Sequence, residues 1–197
     1  MGVNDIKILI ACERSGVVRD AFNALGHDAW SCDLVDSPGN HIVGNAISVA
    51  VLYRWDMMIA HPPCTYLCSS GLHWNKRRPE RVSMTEDAVR FVFELMEAPI
   101  HRIAIENPVG CISTRIRKPE QIVQPWQFGH PESKATCLWL KNLPPLVHTN
   151  VLGLPECGHW NNQTPSGQNK LGPSKDRWMK RSLTYQGIAD AMAEQWG

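Results

Sequence analysis

One cysteine stands where a thiol could do chemistry. Cys64 follows Pro62 and Pro63, which come directly after the apolar segment 56–60. The two prolines restrict the backbone and hold the thiol at the end of that segment. Such a cysteine becomes a nucleophile if its pKa is lowered, because the thiolate is the attacking form. The alternative is a structural cysteine in a proline turn, since free cysteines are among the most buried residues.

A carboxyl group occupies a comparable position further along the chain. Glu106 ends the β-branched segment 102–106 and is followed by Asn107 and Pro108. A carboxyl group held there could act as a general acid or keep a proton on a ring nitrogen of a substrate. The alternative is a helix cap or a surface glutamate.

These residues must be positioned by a sheet. Short apolar segments predict five strands, at 6–11, 28–32, 56–60, 102–106 and 136–140. Helical spacing predicts helices over 17–25, 84–98 (with Thr85 as its cap) and 187–196. Alternating strands and helices indicate an α/β fold, a doubly wound and mostly parallel Rossmann-like sheet. In such sheets ligands lie beyond the carboxyl ends of the strands, where Cys64 and Glu106 are placed.

Two further features at the predicted strand ends are typical of nucleotide sites, although each is weak alone. Residues 11–18 contain one glycine, a poor match to the G-x-G-x-x-G turn, yet a helix start after a strand can still bind a polar ligand. Asp33 follows the second predicted strand, where an acid meets ribose hydroxyls in nucleoside-binding sheets.

Composition restricts the class of protein. The chain has 197 residues and a formal charge of +1, which predicts one domain over 1–197 without a global charge field. No apolar run approaches the roughly 20 residues of a membrane span. Seven scattered cysteines favour a reducing compartment, so we expect a cytoplasmic protein. Residues 141–181 carry six basic and two acidic residues and are rich in loop-forming types, which predicts an irregular basic appendage.

Taken in order, these motifs resemble the DNA cytosine-5 methyltransferases, particularly their short, phage-type members. Asp56–Cys64 resembles the strand and Pro-Cys nucleophile loop of that family, and Glu106-Asn107-Pro108 resembles its Glu-Asn-Val motif. The resemblance covers roughly residues 5–140 and 182–197. It implies an enzyme with the S-adenosylmethionine-dependent methyltransferase fold, which transfers a methyl group to carbon 5 of cytosine. It also implies that the Cys64 thiolate adds to carbon 6 while Glu106 bonds ring nitrogen 3 and the amino group.

The resemblance also implies site residues. The catalytic set is Cys64, Glu106 and Asn107. The implied contacts with S-adenosylmethionine are Cys12, Glu13, Ser15, Gly16, Asp33, Asn45, Pro62 and Thr184. Among these, Asn45 takes the place of an aspartate that reads the adenine amino group. The sequence departs from the family at the glycine turn, and at its arginine strand, where Lys134 and Thr136 replace the two arginines.

DNA is the implied partner, as a duplex with a flipped cytosine or as a single strand, because a stacked base cannot react. The expected phosphate contacts are Lys76, Arg77, Arg78, Arg81, Lys134, Lys175 and Arg177. Segment 67–81 is expected to be a mobile loop that closes over the base. Segment 141–181 replaces a large recognition domain, and Trp160 and Trp178 could stack on bases there. We therefore expect relaxed sequence recognition, or help from a second copy or a partner subunit.

Two other functions fit less well. An amino-group methyltransferase acting on adenine N6 or cytosine N4 would carry Asp/Asn-Pro-Pro and an aromatic residue, whereas this sequence reads His61-Pro62-Pro63-Cys64. A nucleic-acid-binding protein of the same fold without activity would explain the degenerate glycine turn. Cys157 and His159 are too few for a structural zinc site, so no metal is expected, and His61 is expected to be a hydrogen-bonding or surface histidine.

Overall fold

The computed structural model describes residues 5–172, 174 and 177–197, without the side chain of Trp178. The described part of the chain contains a seven-stranded sheet in the order β3-β2-β1-β4-β5-β7-β6. The strands are β1 (Lys7–Ala11), β2 (Asp28–Asp33), β3 (His41–Val43), β4 (Met57–Ala60), β5 (Arg102–Pro108), β6 (Gln121–Val123) and β7 (Thr136–Lys141). The helices are α1 (Val17–Ala24), α2 (Ala46–Leu52), α3 (Ser69–Leu72), α4 (Arg81–Met96), α5 (Ile112–Arg115), α6 (Arg177–Ser182) and α7 (Gln186–Trp196).

The pairing of the strands confirms the predicted doubly wound fold. Strands β1 to β5 are parallel, whereas β7 runs antiparallel to both of its neighbours, β5 and β6. The strand order reverses between β1 and β4, so the carboxyl ends of these two strands border the crevice where such sheets bind ligands.

Alternation along the buried strands divides the core between the two faces of the sheet. Ile8 and Ile10 of β1 pack with α1 and α7, and the fully buried Phe22 lies in this layer. Leu9 and Ala11 point the other way, into a layer formed with α2 and α4. Apolar residues on both sides explain why the strands read as continuous hydrophobic segments rather than alternating ones.

The predicted strands correspond to β1, β2, β4, β5 and β7, and the three predicted helices correspond to α1, α4 and α7. Strands β3 and β6 escape prediction because each has only three residues, too few to show a period. The predicted cap of α4 is wrong. The helix starts at Arg81, and Thr85 lies inside it, where its hydroxyl donates to the Arg81 carbonyl at 3.1 Å.

Residues 144–172 form no helix or strand, as the composition predicts. Segment 67–81 differs from the expected loop, since α3 and a 3₁₀ turn at His73–Lys76 give it regular structure. No helix in the described ranges is long and apolar enough to cross a bilayer.

Candidate active site

The predicted nucleophile lies at the carboxyl end of β4. The His61 N–H continues the sheet by donating to the Ala11 carbonyl at 2.9 Å, and the chain then turns through Pro62 and Pro63 into a 3₁₀ turn at Cys64–Tyr66. The Cys64 carbonyl accepts from the N–H groups of Leu67 and Cys68 at 3.0 and 2.9 Å. Because Leu67 is 1% exposed, it anchors the turn in the core and leaves Cys64 half-buried at the sheet edge.

Asn107 ties this turn to the neighbouring strand. It lies in β5, is 1% exposed, and its Nδ2 donates to the Pro62 carbonyl at 2.7 Å. The contact joins the ends of β4 and β5, which carry Cys64 and Glu106. The family resemblance groups Asn107 with the catalytic residues and Pro62 with the cofactor contacts. In the structure their mutual bond makes Asn107 a positioning residue, which leaves Cys64 and Glu106 as the candidates for chemistry.

Glu106 is held in a buried ion pair with His61. The His61 Nδ1 lies 2.8 Å from Glu106 Oε2, and the two side chains are 9% and 15% exposed. Burial by itself would raise the pKa of Glu106, but the hydrogen bond and charge of His61, together with the charge of Lys134, lower it. Burial would likewise lower the pKa of His61, and Glu106 and Glu13 raise it. One hydrogen-bonded proton joins the pair, and each group favours the charged form of the other.

The Cys64 thiol interacts with a second thiol, that of Cys68. Cys68 is the N-cap of α3, and its sulfur lies 3.2 Å from the Ser70 hydroxyl. The hydrogen bond from Cys64, together with those from Ser70 and the Gly71 N–H, lowers the pKa of Cys68. The same bond to Cys68, with burial and the charges of Cys68 and Glu106, raises the pKa of Cys64. One shared interaction therefore perturbs the pKa values of the two thiols in opposite directions.

Arg181 is a site residue that the sequence did not reveal. Its side chain is exposed near the carboxyl end of α6, and its charge lowers the pKa of both Cys64 and Cys68. The basic appendage thus returns to the nucleophile through its last turn. Only the fold brings a residue so distant in sequence to this turn.

Lys134 holds α6 in place. Its Nζ donates to the carbonyls of Arg181 and Leu183 at 2.9 and 3.3 Å and lies 5.8 Å from the centre of the Tyr185 ring. Two of the three N–H donors of Lys134 are thus used within the chain, and its predicted phosphate contact stays a prediction. Thr184, a predicted cofactor contact, is half-buried next to this clamp.

The turn after β1 is built around an internal carboxylate. Glu13 is 4% exposed, and its Oε1 accepts from the Val18 N–H at 2.8 Å and from the Ser15 hydroxyl at 3.2 Å. Its Oε2 accepts from the Arg19 N–H at 3.3 Å. Both oxygens are thus occupied at the start of α1, which corrects the prediction that Glu13 contacts a cofactor. Ser15 supports the same turn.

Two residues of this turn have left-handed backbones, Cys12 with φ 59° and Gly16 with φ 75°. Burial and the nearby Asp33 charge raise the pKa of the Cys12 thiol to about 12, so this thiol stays protonated. A Cβ on Gly16 would lie 2.2 Å from the Arg19 guanidinium. Gly16 is therefore required by both its backbone and its neighbour.

Arg19 fastens the loop between β2 and β3 at this edge, a role that no pattern in the sequence indicates. The side chain is 5% exposed, and Nη1 donates to the Pro38 carbonyl at 2.7 Å and to the Ser31 hydroxyl at 3.0 Å. The guanidinium thereby joins the first turn of α1 to β2 and to the loop that connects β2 and β3. An arginine in an amphipathic helix would ordinarily be expected on the surface.

Asp33 and Asn45 differ in whether a side-chain oxygen is free to accept a hydrogen bond from a ligand. Asp33 is half-buried at the end of β2, and its Oδ1 accepts from the Val35 N–H at 3.0 Å, while its Oδ2 has no hydrogen bond among the described residues. The Asn45 oxygen accepts from the N–H groups of Ile47 and Ser48 at 2.9 and 3.2 Å as the N-cap of α2. That oxygen is fully used, so the predicted adenine contact of Asn45 is wrong.

The residues predicted to contact phosphates differ in their exposure. Lys76, Arg77 and Arg78 are exposed after α3. Arg81 instead points inward. Its Nη2 donates to the Thr65 carbonyl at 3.3 Å, and its guanidinium lies 4.5 Å from the centre of the Tyr66 ring, so it anchors the segment and its predicted phosphate contact is wrong. Arg177 is half-buried at the start of α6, and Lys175 lies outside the described residues.

The appendage is attached to the sheet through an aromatic stack. The rings of Trp126 and Trp160 lie 5.7 Å apart at an interplanar angle of 4°. Asn162 exchanges two hydrogen bonds with the Ser133 backbone, at 2.8 and 3.0 Å. Trp160 therefore has one face covered, contrary to its predicted availability for bases. The Cys157 sulfur lies 3.8 Å from His159 Nδ1, and no group of three or more metal-binding side chains exists over the described ranges.

Comparison with known proteins identifies the fold. No protein-family model and no curated protein matches the sequence. The methyltransferase EhMeth of Entamoeba histolytica shares 12% identity at a TM-score of 0.50, over 76% of this chain and 58% of that one. A protein of an E. coli prophage, described as a DNA modification methyltransferase, shares 13% identity at a TM-score of 0.42, over 69% of this chain and 46% of that one. The chain thus spans about half the length of these structures. Its fold is the Rossmann-like methyltransferase type.

Proposed function

We propose that this protein is a DNA methyltransferase that modifies carbon 5 of cytosine through a covalent Cys64 adduct. The observation that carries the proposal is the placement of a half-buried thiol in the turn after β4 and of a carboxylate with a 15% exposed side chain in the adjacent parallel strand β5. The bond between Asn107 and Pro62 joins that turn to β5. The pair lies at the carboxyl edge of a methyltransferase-type sheet, where ligands of this fold bind.

The chemistry requires a thiol and an acid together. Carbon 5 of cytosine is a poor nucleophile until the ring loses its aromaticity. Attack by the Cys64 sulfur on carbon 6 forms the S–C bond, and the ring electrons shift toward carbon 5 and nitrogen 3. The proton shared by His61 and Glu106 is available to nitrogen 3, so negative charge does not accumulate there. After carbon 5 is alkylated, a base takes its proton and the bond to Cys64 breaks, which releases the thiolate and restores the aromatic ring. The proton on nitrogen 3 then returns to the pair of His61 and Glu106.

The thiol pair provides a route for the Cys64 proton. The Cys68 sulfur interacts with the Cys64 thiol, so it is the neighbouring group placed to take the proton as the Cys64 sulfur attacks. Ser70, the Gly71 N–H and the charge of Arg181 lower the pKa of Cys68, which favours its thiolate.

The residues at the ends of β1 and β2 suit the nucleoside part of S-adenosylmethionine, which when bound supplies an electrophilic methyl group. The free Oδ2 of Asp33 can accept a ribose hydroxyl. The start of α1 is closed to the methionine carboxylate, because Glu13 already places a negative charge there. Two buried atoms near Glu106, His61 Nε2 and Asn107 Oδ1, have no partner within the described part of the chain. Buried polar atoms are nearly always satisfied, so they favour a polar ligand at this edge.

The two alternative functions have less support. An amino-group methyltransferase needs a free amide or acid before its two prolines, and His61 occupies that position with its Nδ1 bound to Glu106. A protein without activity would have no need of a buried ion pair beside a thiol pair, an arrangement that is costly to maintain. DNA as substrate, a flipped or single-stranded cytosine, and a second subunit for recognition all belong to the proposal.

The proposal is tested by trapping the adduct. The full chain is incubated with S-adenosylmethionine and an oligonucleotide that contains 5-fluorocytosine, whose carbon 5 cannot lose a proton. We expect a complex that survives denaturing electrophoresis, is absent for Cys64→Ser and is retained for Cys111→Ser, a neighbouring half-buried thiol. Mass spectrometry of digested, unmodified DNA should show 5-methylcytosine. N4-methylcytosine or N6-methyladenine instead, or an adduct that persists in Cys64→Ser, would contradict the assignment.

A further inference from the structure

A basic aromatic surface follows the nucleophile turn. It is formed by residues 73–78, and we name it the Trp74 platform. The Trp74 ring is 40% exposed, and the guanidinium carbons of Arg77 and Arg78 lie 5.6 and 5.8 Å from its centre. The His73 ring lies 4.9 Å from it.

The positive charge of the platform is not neutralised within the protein. Lys76, Arg77 and Arg78 are exposed, and none of them takes part in an ion pair in the part of the chain that the structure describes. Glu80 follows closely in sequence and forms no ion pair with them in this part either. Each guanidinium lies near the limit of a cation–π contact, about 6 Å, so a phosphate can recruit it without breaking a strong bond.

The platform is held in a fixed relation to Cys64. The Arg81 guanidinium donates to the Thr65 carbonyl in the nucleophile turn and to the Gly71 carbonyl at 3.5 Å. Asn75, within the platform, donates to the Thr85 hydroxyl of α4 at 2.9 Å. The tryptophan next to Asn75 therefore sits on a braced segment, and a base stacked there would have a defined position relative to the nucleophile.

Trp160, one of the two tryptophans predicted to stack on bases, is less suitable than Trp74. Trp160 stacks on Trp126 and packs the appendage against the sheet. Trp74 has no parallel aromatic partner among the described residues, since its neighbour His73 is tilted by 43°. An exposed ring with adjacent arginines and no carboxylate is the combination that binds single strands, because every base has a face to stack and every phosphate a charge to pair.

We propose that the Trp74 platform binds single-stranded nucleic acid by stacking one unpaired base on the Trp74 ring while Arg77 and Arg78 contact the adjacent phosphates. The inference rests on the proposed function only for the choice of nucleic acid as the ligand. It specifies that the strand is presented unpaired beside the nucleophile turn rather than as an intact duplex.

The test separates stacking from charge. Binding of the full chain to fluorescein-labelled dT12 is measured by anisotropy at low salt without a methyl donor, beside an abasic 12-mer that has the same phosphates and a dA12·dT12 duplex. Trp74→Ala should weaken dT12 binding by about 5- to 100-fold and leave abasic binding unchanged. Trp74→Phe should retain most of the affinity. Tyr53→Ala, which removes a 50% exposed ring that precedes the amino end of β4, should bind as the wild type does.

The charge component has its own readout. The double variant Arg77→Ala/Arg78→Ala should weaken binding of dT12 and of the abasic strand alike. It should also reduce the slope of log K against log salt by about 0.7 for each phosphate that the variant no longer neutralises. Circular dichroism confirms that each variant is folded. The proposal is overturned if the wild type does not bind dT12, if Trp74→Ala binds dT12 unchanged, or if Trp74→Ala loses as much affinity for the abasic strand or the duplex.

The outcome is independent of the methylation assay. Cys111→Ser, the control thiol of the adduct assay, should bind dT12 like the wild type, because this thiol lies outside the platform. Trp74-dependent binding without methyl transfer would reject the proposed function and leave the platform standing. Methyl transfer together with binding that does not depend on Trp74 would support the proposed function and reject the platform.

Discussion

Replacing His61 with glutamine tests the buried ion pair through stability, without any need for activity. Glu106 has a lowered pKa, so its contribution is present above its ordinary value of 4.5 and is lost as pH falls through the lowered value. His61 has a raised pKa, so its contribution is present below its ordinary value of 6.5 and is lost as pH rises through the raised value. The wild type should therefore gain most over His61→Gln between about pH 4.5 and 6.5.

The size of the effect follows from burial. With side chains 9% and 15% exposed, the bond between His61 and Glu106 is poorly screened by solvent. A hydrogen bond to a charged group contributes about 1.5–3 kcal/mol, and glutamine keeps a neutral donor, so the loss should be about 1–3 kcal/mol. Without the His61 charge, the pKa of Glu106 should rise in the variant, because burial then opposes the carboxylate with less compensation.

The assay is urea unfolding of both proteins from pH 3.5 to 9. The difference in unfolding free energy should pass through a maximum and decline on both sides. His41→Gln is the matched control, because the His41 ring bonds the Ser31 hydroxyl and the Val35 carbonyl rather than a carboxylate, and it should give no such maximum. A difference for His61→Gln that is constant with pH would show that the residue contributes packing alone.

Two further substitutions test the arrangement around the site. Arg19→Met leaves the Pro38 carbonyl without its partner and should lower the free energy of unfolding in urea by about 2–4 kcal/mol. The control Arg90→Met, at a 65% exposed position, should change that free energy by less than about 0.5 kcal/mol. Equal effects of the two substitutions would refute the role of Arg19 in holding the loop. Cys68→Ser removes the proton acceptor of Cys64 and should slow single-turnover methyl transfer by about 100-fold while the 5-fluorocytosine adduct still forms. An unchanged rate would mean that the Cys64 proton leaves by another route.

The candidate site is predictable to the extent that it depends on strand ends. The apolar segments that precede Cys64, Glu106 and Asp33 place these residues, and the structure puts all three at the carboxyl edge. The errors of prediction concern the groups with which the polar side chains form hydrogen bonds. Glu13 and Asn45 are predicted as ligand contacts but cap helices instead, because a cap and a ligand contact both need a polar side chain after a strand.

Local sequence patterns do not predict contacts between residues that are far apart in the chain. Lys134 donates to the Arg181 carbonyl in α6, and the charge of Arg181 lowers the pKa of both thiols although it is far from them in sequence. Arg19 looks like an ordinary helix residue until the loop containing Pro38 folds over it. Hydrophobic periodicity reports which face of an element is buried, but not which distant group a polar side chain meets there.

The layered α/β architecture can be read from the order of the residues, since apolar runs of this length can be buried only as central strands between helices. The same order shows that a thiol and a carboxyl group end neighbouring segments. The protonation state of these groups depends on how the chain folds in three dimensions. The proton between His61 and Glu106 and the lowered pKa of Cys68 require atoms brought within hydrogen-bond distance by the pairing of β4 with β5 and by the turn after Cys64, and electrostatic energies change steeply over those few ångströms.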